Sequence, residues 1–376
     1  MAAHVAALSD IVVVGAGIVG CAVAYELARR GASVQIVDDR PAGMGATQAS
    51  AGVLAPYIEA HEGHPLLDLT VRSLDLYDAF VARVAAAAGG TPPAYRRTGT
   101  LEIALDAAGL RRLETLAAAL PRKGVHARLL DAAGAHGEEP YLSEAVVGGL
   151  LVSSHGYVAA ADLTRALIGA ACRHGAQLIE RGRVRRIVSA GGDLRVETDG
   201  GSLAGNGVVL AAGSWSGQIV IDGVDVRLPV RPVRGQLLQL AWTGPTLARV
   251  VWSDRCYLVP WDDGTLLVGA TVEDAGFDER TTTAGIRDLI EAAAEIVPRA
   301  WTAGFTAARA GLRPATPDEI PVIGPSTVVP NLVYATGHYR NGVLLAPLTA
   351  QLVAEVMLEG KTDPILDVTS PRRFGL

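Results

Sequence analysis

Cysteine is scarce: Cys21, Cys172 and Cys256 lie far apart and form no CxxC pair. So sparse and odd a set excludes a disulfide framework or a zinc centre and points to a reducing compartment. Long apolar runs are missing too. No stretch of about 18 uninterrupted apolar residues occurs, so no membrane partner is expected. The apolar N-terminus lacks a basic lead and runs straight into a glycine-rich turn, which speaks against a secretion signal. Nor is there a basic stripe. With 33 Lys and Arg against 39 Asp and Glu, the net charge is −6, so nucleic acid is not an expected partner. The densest basic cluster, RGRVRRI at 181–187, follows a strand pattern and reads as a solvated strand face. No internal repeat or low-complexity linker is visible. The expectation is a cytoplasmic, enzyme-like chain, and 376 residues suffice for two domains and a sizeable core.

What is present begins at residues 11–14, IVVV, a β-branched run of the kind buried on both faces of a sheet. GAGIVG follows, with Gly15, Gly17 and Gly20. Then CAVAYELARRG reads as a helix closed by Gly31, with Cys21 as a small buried residue in it. SVQIV at 33–37 is a second buried strand and ends on Asp38. Gly15 permits the tight turn, Gly17 lets a pyrophosphate approach the backbone, and Gly20 lets the helix pack on the sheet. The helix N-terminus offers free N–H groups and the positive end of its dipole. Asp38 stands 18 residues beyond Gly20, where an acid accepts hydrogen bonds from ribose hydroxyls. A dinucleotide is expected; this motif does not separate FAD from NAD.

The remaining chain reads as a mixed α/β protein. RPAGMGATQASAGVLAPY at 40–57 is a close-packed loop of small residues. Residues 99–105 alternate like a strand, and 106–120 form an amphipathic helix with Leu110, Leu113, Leu116 and Leu120. Residues 233–240, 248–253, 256–260 and 265–271 are closely spaced short strands, as in an antiparallel meander. A helix follows at 283–297. NGVVLAAGSWSG at 206–217 is a buried strand ending in small residues. NLVYATGHYRNG at 331–342 is a strand, a glycine-rich turn and the start of a helix.

GAGIVG with Asp38, GATQASAGVLAP, LAAGSWSG, CYLVPWDDGTLLVGATV, AGLRPATPDEIPVIGP and GHYRNGVLLAP together resemble the D-amino-acid oxidase superfamily of flavoproteins. Within it the chain is similar to the glycine oxidases linked to thiamine biosynthesis. The resemblance implies an FAD-binding Rossmann-like domain from residues 1–86, 150–226 and 312–376. An interleaved antiparallel-sheet substrate domain would come from 87–149 and 227–311. It implies hydride transfer from a small amino acid to FAD and reduction of oxygen to hydrogen peroxide. D-amino-acid or sarcosine-type oxidases, or a flavoprotein dehydrogenase passing electrons to a partner, are the alternatives. A homo-oligomer is left open.

The resemblance also implies site residues. Tyr257, Arg313 and Arg340 would handle the substrate, since a guanidinium fork matches a carboxylate with two charge-assisted bonds. FAD would contact Gly15, Ala16, Gly17, Ile18, Gly20, Asp38 and Asp39. From the small-residue loop it would meet Thr47, Gln48, Ser50, Ala51 and Gly52, and beyond it Val184, Ala212, Gly213 and Trp215. The C-terminal turn would add His338, Arg340, Asn341, Gly342, Val343 and Leu344, with His338 a turn residue beside the flavin rather than a catalyst. No cysteine lies near 337–345, so FAD is expected to be held non-covalently. Val53 and Val272 stand where these oxidases often carry methionine, which leaves substrate size open.

Overall fold

The computed structural model describes residues 9–59, 64–123, 125–180 and 182–376. The apolar start at 1–8 and Arg181 of the basic cluster lie outside the described residues.

Two large sheets organise the chain. In the first, the strand Ser9–Val14 runs parallel between Val34–Asp38 and Gly201–Leu210. Gln177–Glu180 extends one side in parallel, and Leu332–Thr336 pairs parallel with Gly201–Leu210. Side chains alternate between the two faces, and both faces are covered, so the central runs Ile11–Val14, Val208–Leu210 and Leu332–Ala335 are apolar. Val13, Ile36 and Val209 pack into one cluster with the helices Ile18–Arg29, Leu67–Ala88, Ala160–Arg173 and Gly342–Glu359. Val12, Val14, Val208 and Leu210 pack into another with Ile187, Leu194 and Val196 of the adjoining antiparallel strands. The helix Gly342–Glu359 is apolar and long enough to cross a bilayer, but it is largely buried against Ile18–Arg29 and Leu67–Ala88.

The second sheet has eight strands, beginning at the edge strand Gly304–Ala315, then Arg231–Ala241, Thr265–Gly269, Tyr257–Pro260 and Val250–Trp252. Three of the four expected strands, Val250–Trp252, Tyr257–Pro260 and Thr265–Gly269, form the expected meander, while Arg231–Ala241 pairs with Thr265–Gly269 rather than with its successor. Thr100–Ala104 joins it as the expected early strand, followed by Gly148–Val152 and Ala127–Asp131. The helix Ala107–Ala119 starts at Asp106, whose carboxylate accepts from the Gly109 N–H at 2.7 Å. The helix Thr283–Ile296 is capped likewise by Thr282 and packs Leu289 and Ala293 on this sheet. Gly148–Val152 and Gly304–Ala315 both belong here, so the boundaries expected at 150 and 312 fall inside strands.

The segment 40–57 threads between the sheets. It makes a short 3₁₀ turn, Ala46–Ala49, and a two-residue strand, Val53–Leu54. Its small side chains allow this. A Cβ added to Gly311 of the second sheet would stand 2.9 Å from the Ala49 Cβ.

Candidate active site

The three glycines of GAGIVG do three different things. Gly15 has φ +109°, and a Cβ there would sit 2.4 Å from the Ala211 carbonyl oxygen. A Cβ on Gly20 would sit 1.9 Å from the Gly15 carbonyl oxygen. Both therefore seat the helix on the sheet. Gly17 differs: the nearest atom to an added Cβ is Thr47 Oγ1, at 3.8 Å. It leaves space in front of the helix N-terminus, where peptide N–H groups and the dipole favour an anion. Asp38 pins the same turn. Its carboxylate accepts from the Ala16 N–H at 2.7 Å and from the Arg40 N–H at 2.9 Å. Burial pushes this carboxyl up, and the two N–H donors oppose that.

A cavity opens from this turn and runs between the sheets. Gly15, Gly17, Ile18, Asp38 and Asp39 line it, as do Thr47, Ser50, Ala51 and Gly52 of the threading segment. Val184, Ala212, Gly213 and Trp215 line it from the neighbouring strands, and His338, Arg340, Gly342 and Val343 from the C-terminal turn. Tyr257 and Arg313 line it from the second sheet. Five residues of the expected set stand outside this lining. The Ala16 N–H is committed to Asp38, and Gly20 packs on Gly15. Gln48 turns its carbonyl toward Arg309. The Asn341 carbonyl accepts from the Leu345 N–H, and the Leu344 carbonyl from Ser73 Oγ.

The second sheet makes room for its polar side chains with glycine. Tyr257 lies opposite Gly269, where a Cβ would meet the phenol ring and hydroxyl at 2.4 Å. Arg313 lies near Gly235, where a Cβ would stand 2.2 Å from its Nη1. Arg313 Nη1 donates to the Thr271 carbonyl at 2.9 Å. The Tyr339 N–H donates to the Pro314 carbonyl at 2.9 Å, joining the turn that carries Arg340 to the strand that carries Arg313. His338 is 2% exposed and shares a 3.1 Å hydrogen bond with Thr349 Oγ1. Burial pushes its imidazole down to about 3, so it is neutral and positions the turn rather than carrying charge.

Some lining residues were not anticipated. Trp252 packs against Tyr257 with the rings tilted by 32°, centroids 4.8 Å apart, and forms part of the wall. It gave no signal because an aromatic at a strand end reads as core. Arg183 and Arg185 are exposed yet also line the cavity. The reading of 181–187 as a solvated face holds for Arg183, Arg185 and Arg186, and what it did not anticipate is that 182–185 also border the cavity rim. Arg40 completes the rim, stacked over Trp215 at 4.3 Å and paired with Glu279 at 2.9 Å. Five arginines, Arg40, Arg183, Arg185, Arg313 and Arg340, line the cavity beside two carboxylates, Asp38 and Asp39, with Arg40 paired to Glu279 and Arg185 to Asp199. Such a cavity favours an anionic ligand.

These residues fit FAD. Gly17 and the helix N-terminus would hold the phosphates, Asp38 the ribose, and the backbone of 50–52 with the 338–343 turn the flavin.

The model of the FAD dependent oxidoreductase family matches residues 10–356. A glycine oxidase of Geobacillus kaustophilus is 34% identical over 365 residues, covering 94% of each chain. The crystal structure of the glycine oxidase from that organism superposes with a TM-score of 0.92 at 33% identity, over 96% of this chain and 98% of that one. A bifunctional protein ThiO/ThiG of Nostoc sp. is 35% identical over 371 residues, 95% of this chain but 54% of that protein. The chain thus spans about half the length of this relative. An iminodiacetate oxidase from Chelativorans sp. superposes with a TM-score of 0.87 at 28% identity, over 96% and 99% of the two chains. Matched over nearly its whole length, the chain belongs to the FAD-dependent oxidoreductases, with FAD as its cofactor.

Proposed function

We propose that the chain oxidises glycine, or another small primary or secondary amino acid, with oxygen as the final electron acceptor. The reading rests above all on Arg313 and Tyr257 sharing one cavity with the Gly17 turn. FAD, when bound, takes up the substrate's α-hydrogen and its electron pair and passes two electrons to oxygen, giving hydrogen peroxide. The protein's task is to hold the substrate. In this reading Arg313 receives the carboxylate on its planar fork, and the Tyr257 hydroxyl adds a hydrogen bond. Two such contacts fix the direction of the Cα–H, which a hydride donor requires. Arg340, which lines the cavity at the mouth of the helix Gly342–Glu359, would add positive charge beside a bound flavin. No side chain need act as a strong base, in keeping with a neutral His338. The imine product hydrolyses to an oxo acid and ammonia, or serves thiamine thiazole synthesis, as the resemblance to the thiamine-linked oxidases implies. We place the two lobes of this reading at the two sheets, with FAD on the first and the substrate against the second. The scarce cysteines accord with work in a reducing compartment.

The test is Arg313→Ala. A charge-assisted bond in a dry site contributes roughly 1.5–3 kcal/mol, so KM should rise about ten- to a hundredfold while the protein stays yellow with FAD. Peroxide release with glycine, sarcosine, D-alanine and D-proline ranks the substrates. An unchanged KM would remove the carboxylate anchor. Turnover without stoichiometric peroxide would instead make the chain a dehydrogenase that hands electrons to a partner.

A further inference from the structure

Arg313 is itself held, and the group that organises its support lies off the cavity. Its Nη1 donates to the Thr271 carbonyl at 2.9 Å and lies 3.4 Å from the Arg234 carbonyl. Both carbonyls belong to residues bound by one carboxylate. Glu273 Oε2 accepts from Arg234 Nη2 at 2.6 Å and from Nε at 3.2 Å. Glu273 Oε1 accepts from Gln236 Nε2 at 2.7 Å and from the Thr271 hydroxyl. The backbones of Arg234 and Glu273 also exchange two N–H···O bonds of 2.9 Å. The Thr271 hydroxyl in turn accepts from the Gln236 N–H at 2.9 Å.

This arrangement has two consequences for the anchor. Geometrically, Glu273 ties the loop after Thr265–Gly269 to the strand Arg231–Ala241. The two carbonyls beneath Arg313 therefore stay in one place. Electrostatically, Arg234 is a buried cation, 7% exposed, and Arg313 is drawn to its carbonyl. Glu273, with Asp278 3.1 Å from Arg234 Nη1, offsets the Arg234 charge in this low-dielectric region. Glu273 itself is absent from the cavity lining.

We propose that Glu273 is a positioning residue for substrate binding, acting through Thr271 and Arg234 to set the place and plane of the Arg313 guanidinium. The proposal rests on the reading of Arg313 as the carboxylate anchor.

The experiment compares the holoenzymes of the wild type, Glu273→Gln, Arg313→Ala and the double variant. It measures steady-state kinetics with glycine, FAD content, and titration with glycolate followed by the flavin absorbance. Glu273→Gln should raise KM for glycine about five- to twentyfold and weaken glycolate binding by the same factor, with kcat at saturation within twofold and FAD retained. In the double variant the loss should not exceed that of Arg313→Ala alone, because both changes act through one group. A merely structural role would lower kcat, FAD content and KM performance together, and its effect would add to that of Arg313→Ala. Unchanged KM in Glu273→Gln, with a raised KM in Arg313→Ala, would overturn this inference and leave the anchor standing. Unchanged KM in Arg313→Ala would overturn both. Should Glu273→Gln yield no folded holoenzyme, Thr271→Val decides on the same readouts. It keeps both charges, removes the hydroxyl that binds Glu273 and the Gln236 N–H, and should raise KM about threefold, while an unchanged value overturns the inference.

Discussion

Gly235 and Gly269 show how a missing side chain can carry as much information as a present one. An added Cβ at Gly235 would press on the guanidinium of Arg313 at 2.2 Å. The guanidinium is the far end of a long side chain rather than backbone, so Gly235→Ala should displace the fork rather than break the sheet. We expect KM for glycine to rise about tenfold, with FAD retained and stability changed by no more than about 1 kcal/mol; kinetics beside a thermal melt check this. Glu139 gives a pH-dependent counterpart. It is 1% exposed and accepts from the Arg249 N–H at 2.9 Å, yet burial pushes its carboxyl up to about 7. The folded state then holds its proton where the unfolded chain, with an ordinary value of 4.5, has released it. Stability from this group is full below about pH 4.5 and is lost as pH rises through about 7. Glu139→Gln keeps an acceptor and cannot ionise. It should flatten the fall in stability over that window, gaining on the order of 2 kcal/mol at pH 8 relative to pH 5, as denaturant melts at the two pH values would show. Tyr257 and Arg313 were legible in the sequence because each stands in a recognisable block. Gly235, Trp252 and Glu273 were not, because their meaning depends on which strand lies opposite, and cross-strand register is not written locally.

At the scale of the element, the strand–turn–helix at the N-terminus separates folding from binding within six residues. Gly20→Ala would set a methyl 1.9 Å from a backbone oxygen, and neither the turn nor the helix can yield cheaply. Overpacking of this kind costs roughly 1–3 kcal/mol, occasionally more. Gly17 has φ −70° and open space beyond it, so alanine fits the backbone and changes the apoprotein's stability by less than about 1 kcal/mol. The same methyl occupies the space before the helix N-terminus, and FAD affinity should fall more than tenfold. Apoprotein melts and FAD titration of both variants test this contrast; equal loss of stability in the two would refute it. Elements such as these were legible because period is local: Leu110, Leu113 and Leu116 mark the helix bounded at 107–119, which Asp106 caps as Thr282 caps 283–296. The turn hidden in 40–57 was not, since small residues permit many backbones and the packing partner at Gly311 selects one. The basic strand at 184–190 was legible, but its place at the cavity rim was not, because a rim residue is as exposed as any other surface residue.

For the molecule as a whole, the chain crosses between its two sheets without a linker, and the cavity lies where it crosses. Arg40 closes one side of that crossing. It leaves the end of the strand Val34–Asp38, stacks on Trp215 after Gly201–Leu210, and pairs with Glu279 in the loop after Thr265–Gly269. Phe277 of that loop also packs on Trp215, ring centroids 5.8 Å apart. The Arg40 and Glu279 side chains are 33% and 26% exposed, so solvent weakens the pair, which contributes at most about 1 kcal/mol to the fold. A bound cofactor changes this balance, because a ligand that binds only the folded state adds RT ln(1 + [L]/Kd), about 2.7 kcal/mol at a hundredfold excess over Kd. A clasp over the cavity acts on Kd, and so on this larger quantity. Arg40→Ala should therefore lower the melting temperature of the holoenzyme more than that of the apoprotein, and FAD should dissociate several-fold faster on dilution. Glu279→Gln should do the same more weakly, since the stacking on Trp215 survives. Equal shifts in the apo and holo forms would show that Arg40 merely joins two loops, and that the cofactor is retained by the first sheet alone.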